Sequence, residues 1–284
     1  MQKIKYENGK EIAYDEVLLD NLASMKRSIK RDLDHCIVYS GPERSGKSAH
    51  AQQVALNLDP NFGIDNICFT AEQFLKRVQE APQYSCVIFD EAMTGLSSRE
   101  AMSKTNRMLI RALAEVGQRN LYIIVILPSF FMLDSYVALH RSRCLIHTWF
   151  GSGFARGYFS LFNGDRKRQL YLFGKKGHNM KAVKPNFSGR FYSGYTVDEE
   201  EYRRRKREAL VSHTLLDDER SSVRLEESNR VGGLLTWLVE KKDLAYSEIS
   251  SALTAYGLDL SDGALRKLVQ RFRERNPPKT GGVV

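Results

Sequence analysis

The chain has 284 residues, enough for one large domain with a sizeable core and one small domain. Hydrophobic residues at 42% and charged residues at 27% are ordinary for a soluble globular protein. No apolar run approaches the ~20 residues of a membrane span, and the N-terminus MQKIKYENGKEIAYDE has no signal-peptide pattern, so the expectation is a cytoplasmic chain with no membrane partner.

The formal net charge is +9, and it is unevenly spread. Residues 141–196 carry 11 basic side chains and one acidic, Asp165, whereas the segments on either side are close to neutral. A concentrated surplus of this kind points to an anionic partner. Cys36, Cys68, Cys86 and Cys144 each lie in or beside an apolar run and lack metal-ligand spacing, so they read as buried hydrophobes in a reducing compartment.

In chain order, VLLDNLASMKRSIKRDL predicts a first helix, with Val17, Leu18, Leu22, Met25, Ile29 and Leu33 on its apolar face. CIVYS predicts a buried strand that runs into a glycine turn, and AHAQQVALNL a helix after that turn. ICFT is a second strand. AEQFLKRVQEA is a helix capped by Thr70, and CVIFDE is a third strand. A helix over SSREAMSKTNRMLIRALAEVGQ, a strand at LYIIVILPS, a short helix at FFMLDSYVALH and a strand at RCLIHTWF complete an alternating pattern. The expected fold is α/β, a central, mainly parallel sheet with helices on both faces.

Beyond it, RGYFSLFNGDRKRQLYLFGKK reads as a basic hairpin extension turning at Asn163-Gly164. The first domain is thus expected over 1–196. Residues 197–229, including RRRKR, form a charged linker or long helix. Residues 230–276 hold three amphipathic helices, with Ser261 capping the third, and 277–284 form a tail.

The turn after the first strand, GPERSGKS, matches G-x-x-x-x-G-K-[ST] with strand before and helix after. Glycines let backbone N–H groups face phosphate oxygens, and the following helix points its N-terminus at the same anion. The expected nucleotide contacts are Gly41, Pro42, Glu43, Arg44, Ser45, Gly46, Lys47, Ser48 and Ala49. Lys47 would reach the β- and γ-phosphates, and Ser48 would ligate Mg²⁺. The apolar strand CVIFDE ends in two acids. Asp90 would help hold the metal, and Glu91 would orient and deprotonate water.

With these two motifs, residues 36–150 resemble the ATPase branch of P-loop proteins that pairs a catalytic glutamate with a metal-binding aspartate, a branch including AAA+, RecA-like and FtsK–HerA-type ATPases. In such proteins the acidic strand lies beside the first. The resemblance implies ATP hydrolysis, a homo-oligomeric ring or filament, and a polar sensor at the end of the next strand, where this chain has Ser129. The stretches DEAMTGLSSREAM, GQRNLYIIVILPSFF and ALHRSR look like zonular-occludens-toxin-like and viral packaging ATPases of mobile elements. A host's cytoplasm is the setting this implies. Arg119, Arg141 and Arg143 are candidates for an arginine that reaches a γ-phosphate, with surface roles as the alternative. The six histidines have no zinc-type spacing, and His140 reads as structural.

Arg156, Arg166, Lys167, Arg168, Lys175 and Lys176 would suit a polyphosphate backbone, and interleaved aromatics could stack on bases or equally form core. The third C-terminal helix carries Arg266, Lys267, Arg271 and Arg273 opposite Leu265, Leu268, Val269 and Phe272. Such a unit resembles a helix-turn-helix or winged-helix domain for DNA, but three short helices also serve as protein-interaction modules or lids. The expectation is an ATP- and Mg²⁺-dependent translocase or packaging motor on nucleic acid, DNA in particular. The alternatives are an ATP-switched loader that recruits another enzyme and a small-molecule kinase.

Overall fold

The computed structural model describes every residue except Asn8, 91–98, 117–118, Ser193, 256–257, Asp259 and 277–284. For 99–104, 115–116, 212–225 and Lys241 it describes the backbone alone. The chain divides into two units, Met1–Val211 and Ser212–Val284. No described helix is long and apolar enough to cross a membrane.

The first unit opens with a hairpin of β1 (Gln2–Lys5) and β2 (Glu11–Tyr14). Helix α1 (Glu16–Ile29) follows, its first turn capped by the Asp15 carboxylate, which accepts from the Leu18 N–H at 3.2 Å. It buries Leu18, Leu22 and Ile29. Val17 and Leu33, expected on that face, are exposed. Val17 sits one residue, about 100°, off the stripe, and Leu33 lies past the end of the helix.

The main sheet is built from β3 (His35–Ser40), β4 (Ile67–Cys68), β5 (Cys86–Asp90), β6 (Tyr122–Ile126), β7 (Ser142–Trp149), β8 (Tyr158–Phe162) and β9 (Phe187–Arg190). Its order is β4-β5-β6-β3-β7-β8-β9. The first five positions run parallel, and β8 and β9 are added antiparallel. The parallel strands β3, β5 and β6 are buried throughout, as strands covered on both faces must be. On one face, α1, α2 (Lys47–Leu58) and the start of α6 (Glu199–Lys241) pack on Ile37, Tyr39, Ile88, Ile124 and Ile146. On the other, α3 (Ala71–Glu80), α4 (Arg99–Val116) and α5 (Gly164–Gly174) pack on Val38, Val87, Phe89, Val125 and Leu145. Thr70 caps α3, its hydroxyl accepting from the Gln73 N–H at 3.2 Å.

Two expectations are corrected. The acidic strand does not lie beside the first strand, because the apolar run YIIVI of β6 is inserted between them. Nor do residues 158–173 form a hairpin around Asn163-Gly164. Strand β8 pairs back onto β7, and 164–174 is helical. Asparagine suits a turn and also a helix N-cap, and here its side chain accepts from the Arg166 N–H at 3.0 Å. The buried set Lys167, Leu170, Tyr171 and Gly174 then has helical spacing.

The charged run after 198 is helix: α6 is one continuous element, and the boundary between units falls inside it. In the second unit the last turns of α6 combine with α7 (Tyr246–Ala255) and α8 (Asp262–Arg275) around Leu235, Ile249, Leu265 and Val269. Ser261 caps α8. Gly232 lets α6 approach α8 closely, since a Cβ there would lie 2.6 Å from the Phe272 Cβ.

Candidate functional site

The glycine turn sits at the carboxyl end of β3. Gly41 has φ +145°, and a Cβ on it would lie 2.3 Å from the Thr148 carbonyl oxygen. Gly46 has φ +95°, and a Cβ there would meet the Phe191 ring at 2.9 Å. Both positions therefore exclude larger residues, by backbone conformation and by space. Between them Pro42, Glu43 and Arg44 are exposed, with Arg44 also left-handed at φ +61°. The Ser45 hydroxyl lies 2.7 Å from the Pro42 carbonyl and 2.7 Å from Thr148 Oγ1, which ties the loop to β7. Lys47, Ser48 and Ala49 form the first turn of α2. Left-handed turns running into a helix N-terminus collect N–H groups into an anion-binding hollow. Lys47 Nζ donates to the carbonyls of Gly41 at 2.8 Å and Pro42 at 2.7 Å. Burial lowers its pKa to about 8, and the nearby Asp90 carboxylate opposes that shift.

Asp90 lies at the carboxyl end of β5 and is 2% exposed. Two residues of α6, one turn apart, hold it. Tyr202 Oη donates to Oδ2 at 2.5 Å, and Lys206 Nζ pairs with Oδ1 at 2.9 Å. Lys206 also donates to the Tyr202 oxygen, at 3.1 Å, and Ser48 is close enough to act on the same hydroxyl. Lys47, Ser48 and Asp90 therefore share one edge of the sheet. Ser129 follows β6 at this edge, where the preceding Pro128 carbonyl accepts from the Gly41 N–H at 3.4 Å. Glu91 lies outside the described residues.

The three candidate arginines lie at the opposite, amino edge of the strands. Arg119 precedes β6 and donates to the Ala81 carbonyl at 3.2 Å. Arg141 pairs with Asp34 at 2.8 Å and also bonds the Leu113 carbonyl. Arg143 reaches the Asp34 carbonyl at 3.5 Å. None meets the glycine turn of its own chain.

Sequence reasoning missed Thr148, His147, Phe191, Tyr202 and Lys206. His147 Nδ1 lies 2.9 Å from Ser40 Oγ. Burial, assisted by Lys47, takes its pKa to about 4, so it is neutral at pH 7. Phe191 stacks on His50 with ring centroids 4.3 Å apart. Nothing in EEEYRRRKRE announces that Tyr202 and Lys206 reach a strand end over a hundred residues earlier. The only trace is their i,i+4 spacing, with Tyr202 the one aromatic in a charged run.

The basic segment is sorted by the fold. Lys167, expected on nucleic acid, is fully buried, and its ammonium donates to the Ala138 carbonyl. As a member of the inward stripe of α5 it has no access to a ligand. Arg156, Arg166, Arg168, Lys175 and Lys176 are exposed, and Leu172 and Phe173 stand beside them at 60% and 72% exposure. Phe159, Phe162, Tyr171 and Phe191 are core, whereas Phe154 and Tyr192 are exposed. In the second unit Arg266, Lys267, Arg271 and Arg273 are all exposed, Arg266 covering the Tyr246 ring at 4.7 Å and Arg273 pairing with Glu240 at 2.7 Å.

No protein-family model matches the chain, and a search of curated proteins finds no similar sequence.

Proposed function

We propose that the chain binds ATP with Mg²⁺ at the turn Gly41–Ser48 and hydrolyses it while gripping nucleic acid. One observation carries this reading. A two-glycine turn and a buried aspartate from a different strand converge on one edge of the sheet, with Lys47 and the Ser48 hydroxyl beside them. The residues fit the group. Hard oxygen donors on Ser48 and Asp90 suit magnesium. When bound, the ion would neutralise phosphate charge and offset the charge that develops on the transferring group. Backbone N–H groups of Glu43, Arg44 and 46–48, the last at the N-terminus of α2, would orient the phosphates. Lys47, released from the Gly41 and Pro42 carbonyls, would pair with them. Ser129 would donate to the terminal phosphate or the attacking water. The chain's resemblance to glutamate-bearing P-loop ATPases makes Glu91 the group that takes the water proton.

The grip is assigned to the exposed cations of α5 and its flanks, Arg156, Arg166, Arg168, Lys175 and Lys176, with Lys267 and Arg271 of α8 as a second contact. Electrostatic contacts of this type weaken steeply with salt.

The test is ATP turnover measured alone and with single- or double-stranded DNA, at low and high salt. Stimulation that fades with salt is expected. Glu91→Gln should bind ATP and lose turnover; normal turnover would remove Glu91 from its role. If the protein has no affinity for any nucleotide, the reading is wrong. Strand movement powered by ATP would identify a motor, and ATP-dependent binding without movement a loader.

A further inference from the structure

Of the two oxygen donors assigned to magnesium, Asp90 is already engaged by one face of α6, and Ser48 lies beside that face. Tyr202 and Lys206 are four residues apart, so they project from the same side of the helix. Tyr202 donates to Asp90 Oδ2 beside Ser48, and Lys206 places an ammonium 2.9 Å from Asp90 Oδ1. That ammonium lies close enough to Lys47 to act on its charge. A cation in this position neutralises the Asp90 charge.

The placement is anchored from several sides. Tyr202 is 2% exposed and packs on Tyr195 and Phe69, at ring-centroid distances of 4.8 and 5.5 Å. Arg205 pairs with Asp65 at 2.8 Å, and Ala209 enters the core of the same face. Glu199, Glu201 and Glu208 pair with Arg203, Arg204 and Arg205, which leaves Lys206 to turn inward.

We infer that the first turns of α6 form a built-in cationic latch on the nucleotide site: the Lys206 ammonium, with Tyr202, occupies the Asp90–Ser48 position that a magnesium nucleotide must take, and loading displaces it. This rests on the nucleotide reading above. An ammonium and a divalent cation repel one another and compete for the same carboxylate oxygen. The Tyr202 hydroxyl likewise competes for Asp90 Oδ2. When the closed form dominates, the apparent affinity falls by the fraction of open molecules.

The first experiment measures binding of a fluorescent ATP analogue with Mg²⁺ to the full chain and to Lys206→Met and Tyr202→Phe. The latch predicts affinity about tenfold tighter in Lys206→Met, as expected when a ten-to-one closed bias is removed, with a smaller gain in Tyr202→Phe. Weaker binding in both would make the two residues nucleotide contacts and overturn the latch. Because losing a partner of a buried carboxylate can unfold a protein, a second measurement uses the unaltered chain. Hydrogen exchange over 199–211 is followed with Mg²⁺ alone, with ADP plus a chelator, and with Mg²⁺–ADP. Faster exchange only with Mg²⁺–ADP is expected. Unchanged or slower exchange in a chain that binds the nucleotide removes the latch and leaves the nucleotide reading standing. No binding to the unaltered chain or to either variant removes both.

Discussion

Individual residues carry backbone and charge constraints that can be measured separately. Gly46 is left-handed and abuts Phe191. Gly46→Ala therefore places a Cβ in a conformation that costs about 1–2 kcal/mol, before any clash. Its Tm should drop by several degrees, with loss of nucleotide affinity; an unchanged Tm would contradict the geometry. Two lysines, Lys167 buried and Lys47 partly buried, set a pH dependence. Burial lowers the pKa of both Lys47 and Lys167 to about 8 from 10.5 in the unfolded chain. Between those values the unfolded state binds more protons, so stability should rise with pH across about 8 to 10.5. Lys167→Met should flatten part of that slope and leave nucleic-acid affinity unchanged, as chemical denaturation at several pH values and a binding titration would reveal. Nucleotide affinity has the opposite trend. It should decline as pH climbs through about 8, where Lys47 loses its charge. Lys167 also marks a limit of reading sequence. Within RKRQLY its charge is indistinguishable from those of Arg166 and Arg168, and only its helical phase with Leu170 and Tyr171 sends it inward.

Among the elements, α5 is the decisive test of the anionic partner. Replacing Arg166, Arg168 and Lys176 together with alanine should weaken DNA binding and reduce the salt slope by up to about 3 on duplex, near 0.9 for each phosphate no longer neutralised. An unchanged slope would move the interface elsewhere. The alternating helices and apolar strands were legible because CIVYS, CVIFD and YIIVI are buried on both faces and so read as uninterrupted runs. The edge of the sheet was less legible. Asn163-Gly164 satisfies the chemistry of a turn and of a helix cap, and long-range pairing of β8 with β7 decides between them. The glycine turn and Asp90 were readable as motifs. Their neighbours Thr148, Tyr202 and Lys206 were not, because bonds closing between residues 45 and 148, or 90 and 206, leave no local pattern.

For the whole molecule, a chain ending at Val211 retains both layers against the seven-stranded sheet, and with them Tyr202, Lys206, Asp90 and the glycine turn. It should fold, unfold cooperatively and bind nucleotide as the full chain does, as calorimetry and a nucleotide titration would establish. The helical unit rests on a core of few buried side chains, Leu235, Ile249, Leu265 and Val269 among them. Cores this small confer only marginal stability, so the full chain should melt in two steps, the weaker one absent from the truncated chain.

The margins of the sheet bear on how copies could assemble. One border is β4, only two residues long, and the other is β9, four residues ending in Arg190, whose guanidinium lies over the Tyr158 ring. Such short borders, one of them ending in an arginine, discourage backbone-to-backbone stitching between molecules. A higher-order assembly of this protein would accordingly be cemented by side chains on helices and loops, and should dissociate in strong salt instead of growing into fibres.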